Sequence, residues 1–152
     1  GNKKRMSSWK DRLHNSSSEK CDACDSLKEA LKTHSSVNQN LEMASPPSSV
    51  EVGHSGWTLL HTIAAYYPSE PSSQKKNDTV QFLKYFSKVY PCNHCAKDFE
   101  YYLEDHPPRL NTQQEFSQWM CEAHNDVNQK MGKPLFDCTK VDQRWKRTRQ
   151  PS

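Results

Sequence analysis

The chain has 152 residues, enough for one ordinary domain or a smaller one with a long tail, and too few for a multidomain machine. Only 33% of it is apolar and its mean hydropathy is -1.05, so part of the chain is expected to lie outside any packed core. Its 21 basic and 18 acidic residues are interspersed, leaving no Lys/Arg block for nucleic acid, and its longest mostly apolar stretch, residues 59–67, is far short of the ~20 residues of a membrane span.

The apolar deficit falls in the first third. Trp9 is the only aromatic residue before Val52, the other 14 follow it, and eleven Ser occupy the first fifty positions. Such a segment cannot offset the ~1–2 kcal/mol per residue that ordering a backbone costs. Residues 1–52 are therefore expected to form a disordered, mobile N-terminal arm, with a transient helix around Asp25 to Lys32 and a linker at Pro46-Pro47-Ser48-Ser49. From Gly53 the punctuation is helical. Leu59, Ile63 and Tyr66 are spaced as one helical face within residues 55–67, closed by Pro68. Val80, Leu83 and Phe86, with Tyr90 just beyond, mark a second helix over 74–89. Pro91 suits the first turn of a third helix, which runs to about His106 before Pro107-Pro108. Thr112-Gln-Gln-Glu115 is a capping box opening a fourth helix, which Gly132 and Pro134 end. Thr139-Lys-Val-Asp142 reads as a capping box for a short fifth helix through Trp145. Nothing alternates with period two for long enough to make a strand. The expected fold is all-α: a small five-helix bundle over residues 53–146, made of a four-helix up-and-down bundle plus the short fifth helix, with a tail at 147–152.

Six cysteines are the feature that asks for an explanation, four of them in two Cys-x-x-Cys pairs. Cys92-Asn93-His94-Cys95 sits at an expected helix start, where unpaired N–H groups and the helix dipole favour a thiolate, the species that exchanges disulfides. Half of a zinc site is an equal reading of that pair taken alone. Its zinc partner would have to be Cys21 and Cys24, and Cys24 lies 68 positions before Cys92, well outside zinc-ribbon spacing of ~15–20. A c-type haem attachment fails because Asp25 and Ala96 stand where His is needed, and the βαβ pattern of a thioredoxin-like enzyme is absent. Cysteines in an arm are not there for core packing, so Cys21 and Cys24 serve reaction or metal; a tethered dithiol has a high effective concentration at any site within reach. Cys121 and Cys138 read as a structural disulfide, whose closed loop would stabilise by ~3 kcal/mol.

The fourth helix carries two stripes. Phe116, Trp119, Met120, Ala123, Val127 and Met131 form a core face, and Cys121, His124, Asn125 and Asn128 fall at i, i+3, i+4 and i+7 on the opposite side. Trp57 and His61 are likewise one turn apart, and Lys133, Arg144 and Trp145 follow near the chain end. Together these supply aromatic surfaces for a planar ring, amide and imidazole hydrogen-bonding groups, and cations for phosphate, an inventory that suits a dinucleotide such as FAD held by helices. No Gly-x-Gly-x-x-Gly occurs, which excludes a Rossmann site.

Residues 53–145 resemble the Erv/ALR (augmenter of liver regeneration) FAD-linked sulfhydryl oxidases, through the segments GHSGWTLLHTIAAYYP, FSKVYPCNHCAKDF, FSQWMCEAHNDVNQKMGKP and FDCTKVDQRW in the order that family has them. The resemblance implies a dimeric, FAD-binding thiol oxidase that generates disulfides and has no metal ligands. By position, Cys95 would face the flavin as the charge-transfer thiolate, Cys92 would exchange with substrate, and Cys121–Cys138 would be the structural bridge. Gly53, Trp57, His61, Phe99, Cys121, His124, Asn125, Asn128, Lys133, Arg144 and Trp145 would line the FAD site. Cys21 and Cys24 resemble the shuttle pair of the mitochondrial intermembrane-space members. That implies electrons passing from substrate thiol proteins, such as an import oxidoreductase of the Mia40 type, through the shuttle to Cys92–Cys95, to FAD and on to oxygen or cytochrome c. The intermembrane space fits this placement better than the endoplasmic reticulum lumen. Leu103-Glu104-Asp105 lacks the extra cysteine that bridges subunits in mammalian members, so no covalent dimer is expected there. The reading from a different class is a zinc-binding interaction module built on the two Cys-x-x-Cys pairs.

Overall fold

A computed structural model of the chain describes residues 45–147. The chain divides into two units, Gly1–Ser45 and Pro46–Ser152, and every described helix lies in the second. These are α1 (Ser49–Ala65), α2 (Ser73–Val89), α3 (Asn93–Asp105), α4 (Gln113–Lys130) and α5 (Val141–Trp145), with a 3-10 turn at Cys138–Lys140 leading into α5. No strand occurs among the described residues, and the fold is the all-α five-helix domain expected. The arm's Cys21 and Cys24, its helix at 25–32 and the last residues of the tail lie outside the described residues.

Side-chain caps set the helix starts. Ser48 and Glu51 form a reciprocal capping box, so α1 begins at Ser49, inside the stretch read as a linker and six residues before the expected start. Ser72 caps α2 and Thr112 caps α4, the latter through the expected contact with the Glu115 amide. On α3 the cap is Cys92, whose sulfur accepts from the Cys95 amide at 3.4 Å, so Pro91 lies just outside the helix rather than in its first turn. The capping box read at Thr139–Asp142 does not form. Asp137 takes both the Thr139 amide and hydroxyl, at 3.1 and 2.6 Å, which turns the chain into the 3-10 segment and starts α5 at Val141. α4 ends in a Schellman motif: the Lys133 amide bonds the Asn128 carbonyl, the Gly132 amide bonds that of Gln129, and Gly132 adopts φ +65°.

One contiguous core joins Leu60, Ala64 and Tyr67, Leu83 of α2, Phe99 of α3, Leu110, and Phe116, Trp119, Met120 and Ala123 of α4. Two polar tips inside it are satisfied by loop carbonyls: Trp119 Nε1 donates to His106 O at 2.9 Å and Tyr67 Oη to Leu110 O at 3.2 Å. The α4 stripe is therefore as expected through Ala123; Val127 is only half-buried, and Met131 lies past the helix end and is 61% exposed. On α1 the expected face is the wrong one. Leu59 and Tyr66 are exposed, Ile63 is half-buried against the core, and the buried set is Leu60, His61, Ala64, Ala65 and Tyr67. α1 packs chiefly on α4, α2 on α3, and α5 on both α1 and α4.

Candidate active site

Two helical stripes of identical spacing face each other where α1 packs on α4. His54, Trp57, Thr58 and His61 stand at i, i+3, i+4 and i+7 on α1, opposite Cys121, His124, Asn125 and Asn128 on α4. Between them lies a cleft of about 530 Å³, closed at its ends by Pro134–Phe136 and by Arg144 and Trp145 of α5. That volume is in the ordinary range of a small-molecule site, ~300–1,000 Å³.

The walls are flat and aromatic. Trp57 stacks on His124, with centroids 4.1 Å apart and planes 5° from parallel, and Trp145 stacks on His61 at 4.5 Å and 1°. The Arg144 guanidinium sits 4.2 Å over the Trp145 ring, which anchors a cation at the mouth of the cleft. The two stacks meet through a hydrogen bond between His61 Nε2 and His124 Nδ1, 2.9 Å. One of those nitrogens must carry a proton and the other must not, so the bond cannot survive protonation of both rings.

Burial keeps both rings neutral. It pushes His61 down to about 3, where a protonated ring would also be repelled by a protonated His124 and by Arg144. His124 falls to about 4, again mainly by burial, with Lys133 and His54 adding positive charge nearby. The remaining ring nitrogen, His61 Nδ1, is buried without a hydrogen-bond partner, an arrangement that costs ~1–3 kcal/mol and is the unsatisfied polar atom of the site.

Disulfide Cys121–Cys138, Cα atoms 5.8 Å apart, ties α4 to the 3-10 turn beside the cleft. Cys92 and Cys95 also form a disulfide, Cα atoms 5.3 Å apart, at the start of α3. Cys92 is half-buried as the helix cap and Cys95 is exposed; neither lines the cleft. The link is aromatic. Phe99, one turn after Cys95, is buried edge-on to Trp57, with centroids 6.1 Å apart and planes at 83°.

Of the residues expected at the site, the cleft gathers Trp57, His61, Cys121, His124, Asn125, Asn128, Arg144 and Trp145. Gly53, Phe99 and Lys133 do not line it. A Cβ on Gly53 would meet Tyr90 Oη at 3.8 Å, Phe99 belongs to the core, and Lys133 is exposed and acts on His124 only through its charge. Sequence reading missed His54 and Thr58, although they extend the Trp57–His61 turn into the full four-residue stripe. It also missed Pro134, Leu135 and Phe136, which a loop delivers and no spacing announces. The zinc reading finds no support: Cys92 and Cys95 are bonded to each other, and the described residues hold no group of three metal-ligating side chains.

A five-helix domain with an aromatic, imidazole-lined cleft and a disulfide-bonded Cys-x-x-Cys one ring beyond it defines a helical thiol–disulfide module. The chain belongs to the Erv1 / Alr family, whose profile matches residues 54–146. It is 52% identical over 101 residues to the mitochondrial FAD-linked sulfhydryl oxidase ERV1 of Saccharomyces cerevisiae, a match covering 66% of this chain and 53% of that protein. It is 40% identical over 119 residues to the FAD-linked sulfhydryl oxidase ERV1 of Arabidopsis thaliana, covering 76% and 62%. The chain thus spans little more than half the length of these curated relatives. Among solved structures, the yeast Erv1 core superposes with a TM-score of 0.70 at 47% identity, over 74% of this chain and 96% of that one. The FAD binding domain of Erv1 from Saccharomyces cerevisiae gives 0.65 at 50% identity, over 66% and 96%.

Proposed function

We propose that the chain is an FAD-dependent thiol oxidase that generates disulfides, with Cys92–Cys95 as its redox centre and the α1–α4 cleft as its cofactor site. The observation that carries this reading is the aromatic path from Cys95 to the cleft. Cys95 and Phe99 share one face of α3, and Phe99 lies edge-on to Trp57.

The residues present fit FAD. The stacked Trp57 and His124 present flat surfaces to a planar ring, and the unpartnered His61 Nδ1 marks polar capacity that the protein leaves unused. Asn128 spends only one of its four hydrogen-bonding positions among the described residues, and Arg144 supplies a cation for phosphate. When bound, FAD supplies an acceptor for the two electrons released by dithiol oxidation. The chain's own residues do the exchange. A substrate thiolate attacks Cys92 Sγ, the Cys92–Cys95 bond breaks, and Cys95 leaves as a thiolate favoured by its place in the first turn of α3. The second substrate thiol then resolves the mixed disulfide, giving substrate disulfide and the reduced Cys92/Cys95 pair, whose reclosure releases two electrons and two protons.

In the same reading Cys21 and Cys24 relay electrons from thiol substrate proteins, an import oxidoreductase of the Mia40 type among them, and oxygen or cytochrome c is the final acceptor. The compartment is the mitochondrial intermembrane space, in keeping with the word mitochondrial in the yeast relative's name. A homodimer would cover the outer face of α1, where Leu59 and Tyr66 are 51% and 56% exposed. No described helix is long and apolar enough to cross a membrane. The deciding measurement is a visible spectrum with elemental analysis of the purified chain. Flavin absorbance without zinc is expected, and a protein that stays colourless after folding with FAD would overturn the proposal.

A further inference from the structure

The sequence treats Asn125 and Asn128 alike, but their hydrogen bonds separate them. Asn125 Nδ2 donates to Phe136 O at 2.8 Å and to Cys138 Sγ at 3.4 Å, and its Oδ1 accepts from Phe136 N at 2.9 Å and from Asn128 Nδ2 at 3.3 Å. An asparagine amide has two donor hydrogens and two acceptor lone pairs, and here all four are used. The orientation of the amide is fixed by this pattern, since turning it over would set Nδ2 against the Phe136 N–H and Oδ1 against the Phe136 carbonyl.

We propose that Asn125 is a positioning residue and not a ligand of the cofactor: its amide copies a neighbouring strand, pairing with both backbone groups of Phe136 to hold the Pro134–Phe136 wall of the cleft. The proposal rests on the α1–α4 cleft being the cofactor site, but the latch itself is a property of the polypeptide. Among the described residues, Asn125 is the side chain outside the loop that hydrogen-bonds the Pro134–Phe136 segment. Leu135 and Phe136 are 61% and 39% exposed, and the chain here runs without helical hydrogen bonds between the Schellman turn at Gly132 and the Cys138–Lys140 turn. Cys121–Cys138 holds the far end of the loop, and the Asn125 amide reaches the same sulfur, so amide and disulfide are adjacent restraints on one wall. Asn128, with three positions unspent, remains the amide that meets a ligand.

The test is residue-resolved hydrogen exchange on the full chain as purified, comparing the wild type with Asn125→Ala and Asn128→Ala. The Phe136 amide, protected by Asn125 Oδ1, is expected to exchange about five- to tenfold faster in N125A, the effect of one net hydrogen bond. In N128A it is expected to exchange as in the wild type while flavin retention falls. Should N125A fail to fold, Asn125→Asp decides, because it keeps the acceptor for Phe136 N–H: Phe136 stays protected and flavin is retained, whereas loss of flavin with Phe136 still protected would overturn the proposal. Unchanged Phe136 exchange in N125A with loss of flavin would make Asn125 a direct ligand and overturn the proposal. A colourless protein with the expected exchange pattern would leave the latch standing and defeat only the cofactor reading.

Discussion

A histidine pair buried in the cleft wall makes stability depend on pH. His61 and His124 are held at about 3 and about 4, below the ordinary value of 6.5, so the unfolded chain binds their protons first as pH falls. Their contribution is complete above 6.5 and is lost progressively below it, until the folded-state values are reached. The carboxylates with lowered values, Glu51 and Asp137, start from 4.5 and 3.8 and add their loss only further down. Urea unfolding followed between pH 6.5 and 4.5 should therefore show stability falling, by at most ~1.4 kcal/mol per pH unit for each imidazole. A double variant His61→Gln with His124→Asn should flatten that slope. A wild type that keeps its full stability down to pH 5 would contradict the burial of the pair.

What could be read before folding differs between helices for physical reasons. α4 was legible because only one of its faces is apolar, with Phe116, Trp119 and Met120 all at or below 1% exposure. α1 misled because it is apolar on two faces. Leu59, Ile63 and Tyr66 have helical spacing, but so do Leu60, Ala64 and Tyr67, and the position of α4 buries the second set while leaving Ile63 at its edge and Leu59 and Tyr66 exposed. The same partner turns the polar stripes into a site. Neither His54–His61 nor Cys121–Asn128 is a binding face until each supplies the other's opposite wall, and the loop wall at Leu135 and Phe136 depends on a side-chain latch that no local pattern encodes. The end of α4 was legible as well, and Gly132 offers a clean test. Its φ of +65° is left-handed, and a Cβ there would meet nothing within 4 Å, so Gly132→Ala carries conformational strain and no clash. The expected cost is about 1 kcal/mol, a fall of about 4–8 °C in thermal midpoint for a domain of this size. An unchanged midpoint would mean that the Schellman turn is not what ends α4.

For the molecule as a whole, the low mean hydropathy and the abundance of cysteine turn out to be connected. The described helices hold a contiguous core, and the apolar deficit belongs to the residues before Val52, the segment that carries Cys21 and Cys24. In the proposed relay, the Cys21 and Cys24 dithiol matters most for substrates that cannot approach Cys92–Cys95 themselves. Cys92 is only half-buried and Cys95 is exposed, so a small dithiol such as dithiothreitol has access to the Cys92 sulfur that it must attack, whereas a folded protein substrate must bring a buried or constrained thiol pair to the same spot. In that proposed relay, a second Cys-x-x-Cys on the same chain would replace that encounter by an intramolecular or intersubunit one, at an effective concentration of about millimolar. Cys21→Ser with Cys24→Ser should therefore lower oxidation of a protein dithiol by about tenfold or more while leaving dithiothreitol oxidation near the wild-type rate. Cys95→Ser should abolish both, because in the proposed mechanism every electron pair passes through its bond with Cys92. Equal losses with both substrates in the double variant would remove the relay role of Cys21 and Cys24, and turnover in Cys95→Ser would remove Cys92–Cys95 as the redox centre.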